Sequence, residues 1–136
     1  MNILVSLDQL GNAIAMGNPD NTVSARIGYF MHSQEGNPSN YWKVLESIVD
    51  FSFKPIDGIK HCFVAYCHDK NEKYIEGNIL SKIILALLVI IFCIPFLIIV
   101  IRIIAIIFPK AKNDYEINGE KVSIQKMNIF RKLNCN

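Results

Sequence analysis

The stretch His61-Cys62-Phe63-Val64-Ala65-Tyr66-Cys67-His68 gathers four metal-grade side chains within eight positions. Imidazole and thiolate are the usual ligands of zinc. Their spacing works against convergence. On one helix His61 and His68 share a face but stand about 10.5 Å apart along the axis, and Cys62 and Cys67 diverge by about 140°. Zinc needs each ligand at about 2.0–2.3 Å, so one copy of this helix cannot enclose the ion with all four, although two copies sharing a metal could. A Cys62–Cys67 disulfide is also excluded on one helix, because five helical steps exceed the roughly 7 Å that a disulfide spans. His61 and Cys62 point in different directions and make a poor nucleophile–base pair. The expectation is that Cys62 packs inward with Phe63 while His61 and His68 reach solvent. A metal-binding or redox interaction module using His61 and Cys62 is the alternative function.

Asp20, Arg26, Asp50 and Asp57 form the other polar set. Local roles account for them: Asp20 and Asp57 at turns or caps, Arg26 and Asp50 on exposed helix faces. Tyr41 and Trp42 are expected in the core. P-loop, dinucleotide-binding, GxSxG and HExxH patterns are all absent from the sequence. The expectation is therefore no catalytic residue, no cofactor and no small-molecule substrate.

The elements that position these residues are mainly helical. Ile3, Leu4, Leu7, Leu10 and Ile14 recur at a helical period, giving an amphipathic helix over Asn2 to Met16 that stops near Gly17. Asn18 to Thr22 is turn chemistry, and Asp20 or Thr22 caps a second helix, Val23 to Met31, with Val23, Ile27, Phe30 and Met31 on one face. Gly36 and Pro38 punctuate a loop over His32 to Asn40. A third helix opens at Ser39 or Asn40 and should end at Lys54-Pro55. Ile59 to His68 reads as a fourth helix, residues 69–82 as a polar linker, and Asn118-Gly119 as a hairpin turn in the tail. Val122 to Leu133 is alternatively a basic amphipathic segment facing lipid.

Residues 83–108 are apolar apart from Arg102 and are broken only by Pro95. The charge-free part, Ile83 to Ile101, is nineteen residues long. That length equals about 28 Å of helix against a hydrocarbon core of about 30 Å. Lys82 and Arg102 mark its two edges, and sixteen of the nineteen are Ile, Leu, Val or Phe. Each contributes roughly −0.3 to −0.6 kcal/mol at mid-membrane, which outweighs the roughly +2.5 to +3.5 kcal/mol of an inward-sliding arginine. The expectation is a single-pass transmembrane helix kinked at Pro95. A re-entrant or interfacial hairpin is one alternative, although its arms of about 18–20 Å are too short to cross, and a buried soluble helix is the other, although a 136-residue fold could hardly cover a 26-residue helix apolar all round.

Charge is divided along the chain. Residues 1–82 carry seven Lys/Arg and nine Asp/Glu, whereas residues 109–136 carry six and three. A basic tail after a membrane-grade segment suits an anionic lipid surface, and no RNA-binding signature accompanies it, so nucleic acid is not an expected partner. The positive-inside rule holds that tail in the cytoplasm, whereas an 82-residue front is awkward to translocate without a signal peptide, and MNILVSLDQL has no basic n-region. The four cysteines lie in three regions without framework spacing, and Cys93 falls inside the apolar run as a small hydrophobe.

GNPDNTVSARIGYF at 17–30, YWKVLESIVDFSFKPIDG at 41–58 and the pair His61-Cys62 follow one another in order. Together they resemble a family of small uncharacterised proteins encoded in bacteriophages and bacterial prophages. The resemblance covers about residues 2–68 and singles out Asp20, Thr22, Ser24, Arg26, His61 and Cys62; Cys67 and His68 fall outside it. It implies a phage-derived accessory protein and supplies no reaction. The expected organisation is a small helical domain over 1–68, a polar linker over 69–82, a transmembrane helix over 83–108 and a basic tail over 109–136. The expected role is non-enzymatic, through protein or lipid contacts at the bacterial inner membrane: in the envelope stage of infection, in lysis or in exclusion of competing phages. The expected partners are the lipid bilayer and another membrane protein or a second copy of the chain.

Overall fold

A computed structural model of the chain describes residues 2–57, 60–69, 71–107, 115–117 and 120–122. The protein is mainly helical. Its helices are α1 (Asn2–Ile14), α2 (Val23–His32), α3 (Asn40–Asp57), α4 (His61–His68), α5 (Ile79–Phe92) and α6 (Ile98–Ile107), with a π-helical turn at Cys93–Leu97 between the last two. Tyr115–Ile117 and Glu120–Val122 pair as antiparallel strands β1 and β2, Ile117 opposite Glu120. The expected turn Asn118-Gly119, the segment 123–133, Cys135, and the Gly58-Ile59 junction lie outside the described residues.

Local chemistry explains most boundaries. Thr22 Oγ1 accepts from Ala25 N at 3.0 Å and starts α2, and Asn78 Oδ1 accepts from Ser81 N at 2.8 Å and starts α5. Helix α1 ends at Ile14, and beyond it Met16 takes a left-handed φ of 56° while Gly17 N closes back on Asn12 O at 2.8 Å. Helix α3 does not stop at Lys54-Pro55 but runs on to Asp57 with Pro55 inside it. A proline this close to the end of a helix disturbs only its last turn.

The core is built on aromatic and aliphatic packing. Trp42 is fully buried and stacks on Phe30 with ring centroids 4.7 Å apart. Helices α2 and α4 pack so closely that a Cβ at Gly28 would lie 2.1 Å from the Cys62 carbonyl oxygen. Leu85, Val89 and Cys93 of the apolar run join the same core as Ile27, Phe30, Trp42, Leu45 and Val49. The run is thus packed along the front helices instead of standing apart from them.

Helix α1 accounts for that arrangement. Its apolar stripe is the exposed one, with Ile3 76% accessible and Leu7, Leu10 and Ile14 also exposed, whereas Asn12 and Ala15 are fully buried. The front helices are therefore left one apolar wall short, and α5 supplies it. Helix α3 lies alongside: Tyr41 Oη donates to the Lys82 carbonyl at 2.5 Å near one end, and near the other Ser52 Oγ, which donates to the Ile48 carbonyl at 2.8 Å, lies 3.5 Å from the Cys93 carbonyl.

The expected span over 83–108, with its core at 83–101 and a kink at Pro95, is a bent pair of helices. Helix α5 begins at Ile79, inside the stretch read as linker. Pro95 lacks an N–H, and the backbone around it opens into the π-helical turn. Among the described residues no single helix is long and apolar enough to cross a membrane; Ile79–Pro95 and Ile98–Ile107 meet that requirement only as a pair, bent by 42°.

Candidate functional site

The N-terminus of α2 collects the largest group of polar side chains singled out by the sequence, and α1 adds one that sequence reasoning missed. Asp8 Oδ1 accepts from Val23 N at 3.1 Å and Asp8 Oδ2 accepts from Ser24 Oγ at 3.1 Å. His61 Nε2 lies 3.1 Å from Ser24 Oγ, and its ring stacks on Phe53 with centroids 3.9 Å apart. His61 is therefore packed between α2 and α3, not turned to solvent as expected.

The direction of these hydrogen bonds decides what they can do. Ser24 Oγ donates to Asp8 Oδ2, and in the tautomer of His61 that carries its proton on Nε2 the ring donates in turn to Ser24 Oγ. A nucleophilic serine needs the reverse, an imidazole that accepts from the hydroxyl. Asp8 also satisfies a free N–H at the first turn of α2, where a carboxylate is favoured by the helix dipole. Burial pushes the Asp8 carboxyl up, and His61, Ser24 and the Val23 N–H oppose it.

Above Asp8 and Ser24 opens a groove of about 190 Å³ between α1, α3 and the α5 side of the π-helical turn. Its walls include Leu4, Leu10, Val49, Leu88, Phe92 and Leu97. Asp8 and Ser24 are the polar side chains among its lining residues.

Cys62 turns the other way from His61. It is fully buried, and its backbone N–H donates to Asp50 Oδ1 at 2.9 Å, so Asp50 caps α4 rather than occupying an exposed face. Burial pushes the Asp50 carboxyl up to about 6, with the Cys62 N–H and thiol pulling it back. The Cys62 thiol is pushed well up by burial and then by the neighbouring Asp50 charge. Such a thiol is a weak nucleophile and a reluctant metal ligand. Cys67 is disulfide-bonded, His68 is exposed, and among the described residues no group of three His, Cys, Asp or Glu side chains could hold a metal ion.

Arg26 departs furthest from its expected place on an exposed face, being 1% accessible. Its Nη1 donates to Asn12 Oδ1 at 3.1 Å and to the Ala15 carbonyl at 3.2 Å. Its Nη2 donates to the Glu76 carbonyl at 2.9 Å and to Ser81 Oγ at 3.2 Å, while Ser81 Oγ donates to the Ala15 carbonyl at 2.6 Å. One guanidinium fork thus joins the end of α1, the 69–78 connection and the first turn of α5. Gly77 makes room for it: at φ +80° a Cβ there would lie 2.3 Å from Ser81 Oγ and 3.0 Å from Arg26 Nη2. Burial pushes the guanidinium down, opposed by Tyr41 and Glu76.

The remaining singled-out residues have local roles. Thr22 caps α2, and the exposed Asp20 donates its backbone N–H to Asn18 Oδ1 at 3.1 Å within the turn. Lys82 Nζ pairs with Glu76 at 2.6 Å. Arg102 Nη1 donates to the Ile98 carbonyl one turn back at 2.9 Å, and its guanidinium lies 4.9 Å from the Phe51 ring centroid. Of the residues the resemblance singled out, Ser24 and His61 are brought together, Arg26 and Cys62 are buried in separate clusters, and Asp20 belongs to none. Asp8, Asn12 and Ser81 were missed. The spacing Asp8, Asn12, Ala15 on an otherwise apolar helix was the available signal, a narrow small-and-polar stripe suited to facing protein.

No protein-family model matches the chain, and neither a curated protein nor a solved structure is found to be similar to it.

Proposed function

We propose that this chain is a phage-derived accessory protein seated in a membrane by its bent apolar helix pair, acting there through protein or lipid contacts and not by catalysis. One observation carries the membrane seat. The faces of α5 and α6 turned away from the core expose Ile83, Leu87, Ile90, Ile91, Phe92, Ile94, Ile99 and Ile103, with Ile79 at 80% and Ile106 at 79%. Water does not tolerate a continuous aliphatic surface of that extent on a small protein. The exposed stripe of α1 adjoins it across the groove, which both helices line.

Helix α3 supports a one-sided seat. It accompanies the apolar pair from Lys82 to Cys93 and exposes Lys43 and Lys54. Carrying two lysines into hydrocarbon costs about 2.5–3.5 kcal/mol each, so the α3 side favours water and the α5–α6 side favours lipid. A second reading, a single pass through the bacterial inner membrane, is supported by length: bent at 42°, the pair reaches about 36 Å along the axis of its first helix, beyond the roughly 30 Å core. Topology reporters fused in turn to each end of the full chain distinguish the two. The one-sided seat requires both ends on the same side, and a reporter pattern on opposite sides overturns it in favour of the crossing.

The inward Cys62 and the disulfide-bonded Cys67 weigh against metal and redox chemistry at the 61–68 helix. The phage origin rests on the ordered segments 17–30, 41–58 and 61–62, and a host or phage gene neighbourhood devoted to lysis or packaging would place the role.

A further inference from the structure

Arg102 is the one charged residue of the apolar run 83–108, and it stands at a seam. On α6 the preceding Ile101 is fully buried and the following Ile103 is exposed, so Arg102 marks where the protein-facing side of the helix turns into the aliphatic one. Its guanidinium lies over the Phe51 ring of α3, 4.9 Å from the centroid, and its Nη1 donates to the Ile98 carbonyl at 2.9 Å. These contacts orient the fork without supplying a negative charge. Among the described residues Arg102 has no salt bridge, and of the five N–H donors of a guanidinium the Ile98 carbonyl takes one.

Lys54 adds a second cation. It follows Phe51 by three positions on α3, which makes the two side chains neighbours on one helical face, with Cβ atoms about 5–6 Å apart, and it is exposed. Glu46 and Asp50 of the same helix are engaged with His32 and the Cys62 N–H. Beside the two cations run Ile99, Ile103 and Ile106 of α6, all exposed.

We propose that Arg102 and Lys54 form a binding site for the phosphodiester of an anionic phospholipid, whose acyl chains lie along Ile99, Ile103 and Ile106. The site rests on the membrane seat proposed above and adds a head-group preference to it. The planar fork of Arg102 matches two phosphate oxygens, and Phe51 beneath it holds the plane. Lys54 makes the selection. It attracts the net negative charge of phosphatidylglycerol and repels the choline cation of phosphatidylcholine, whose phosphate is otherwise the same.

Native mass spectrometry of the full chain released from neutral detergent micelles tests the site, with the two lipids supplied in equal amounts and with identical acyl chains. The chain should retain phosphatidylglycerol about tenfold more than phosphatidylcholine, the size of one charge-assisted hydrogen bond. Arg102→Gln and Lys54→Gln, each shown to be folded by circular dichroism, should remove most of that preference. Lys43→Gln deletes the same charge about three turns away from Lys54 on α3 and should keep it. Soluble glycerol phosphate should not displace the lipid from the unaltered chain, because it lacks the acyl chains that lie on α6; this readout stands even where a variant does not fold. Equal retention of the two lipids, a preference unchanged in folded Arg102→Gln as a tail-borne charge effect would leave it, an equal loss in Lys43→Gln, or displacement by glycerol phosphate would overturn the proposal. Failure of the seat itself reads differently, as release from membranes in alkaline carbonate, whereas equal retention by a chain that resists carbonate overturns the head-group site alone.

Discussion

Asp50 caps α4 through the Cys62 N–H while sitting in surroundings that favour its neutral form. Its carboxyl is raised from 3.8 to about 6, so between those values the unfolded chain has released a proton that the folded chain retains. Stability therefore falls as pH rises through that window and levels off above it, by at most about 3 kcal/mol. Asp8, also raised, contributes with the same sign. In urea titrations at pH 4 and pH 7, Asp50→Asn should flatten this fall, because its amide oxygen still accepts from Cys62 N; Asp50→Ala should cost a further ~1 kcal/mol at both pH values. A fall undiminished in Asp50→Asn would assign the dependence elsewhere. Arg26 is the more severe position. Arg26→Met takes the guanidinium donor from the Glu76 carbonyl, the Asn12 amide oxygen and the Ser81 hydroxyl, leaves the Ala15 carbonyl with Ser81 alone, and should destabilise by about 3 kcal/mol or more, read as a lowered denaturant midpoint. Arg26→Lys should not restore it, since one ammonium cannot replace a planar fork. A midpoint within experimental error of the unaltered chain would show that the fork is dispensable. Neither residue's role was legible in the sequence, because helical periodicity around Arg26 and Asp50 does not reveal which partners lie across the interface.

Elements were more legible than contacts. The helices containing Val23 to Met31 and Tyr41 to Lys54 follow from apolar spacing and caps, and they form with small shifts at their ends. Pro55 misled because a proline near the end of a helix costs little, whereas Pro95, in mid-run, opens the π-helical turn and a 42° bend. The face of α1 was the deeper surprise. An apolar stripe ordinarily marks the buried side, but here the pairing of Asp8 with α2 and of Asn12 with Arg26 turns the small-and-polar stripe inward. Close packing of α2 on α4 gives the test at this scale. Gly28→Ala would set a methyl group 2.1 Å from a backbone carbonyl, so the helices must separate and stability should drop by about 2 kcal/mol or more in thermal melts. Gly11→Ala, where the added methyl meets only Val23 Cγ2 at 3.7 Å, should be neutral or slightly stabilising. Equal melting of the two variants would contradict the close α2–α4 contact.

The whole molecule joins two surfaces of opposite character through one core. Trp42, Phe30 and Val49 meet Leu85 and Val89 inside, Lys43 and Lys54 face outward on α3, and an aliphatic surface covers the opposite side of α5 and α6. Hydropathy made the membrane-grade run legible from composition alone, but its docking along α3 was not, since Ile83 to Ile101 reads the same whether one face packs on protein or all faces meet lipid. The partial burial of that run ties it to the front helices, with Arg26 and Tyr41 reaching across to its first turn. Alkaline carbonate extraction of membranes from cells expressing the full chain tests the seat most directly. A chain whose apolar helix pair enters the hydrocarbon should stay in the membrane pellet, and quantitative release into the supernatant would contradict the membrane seat.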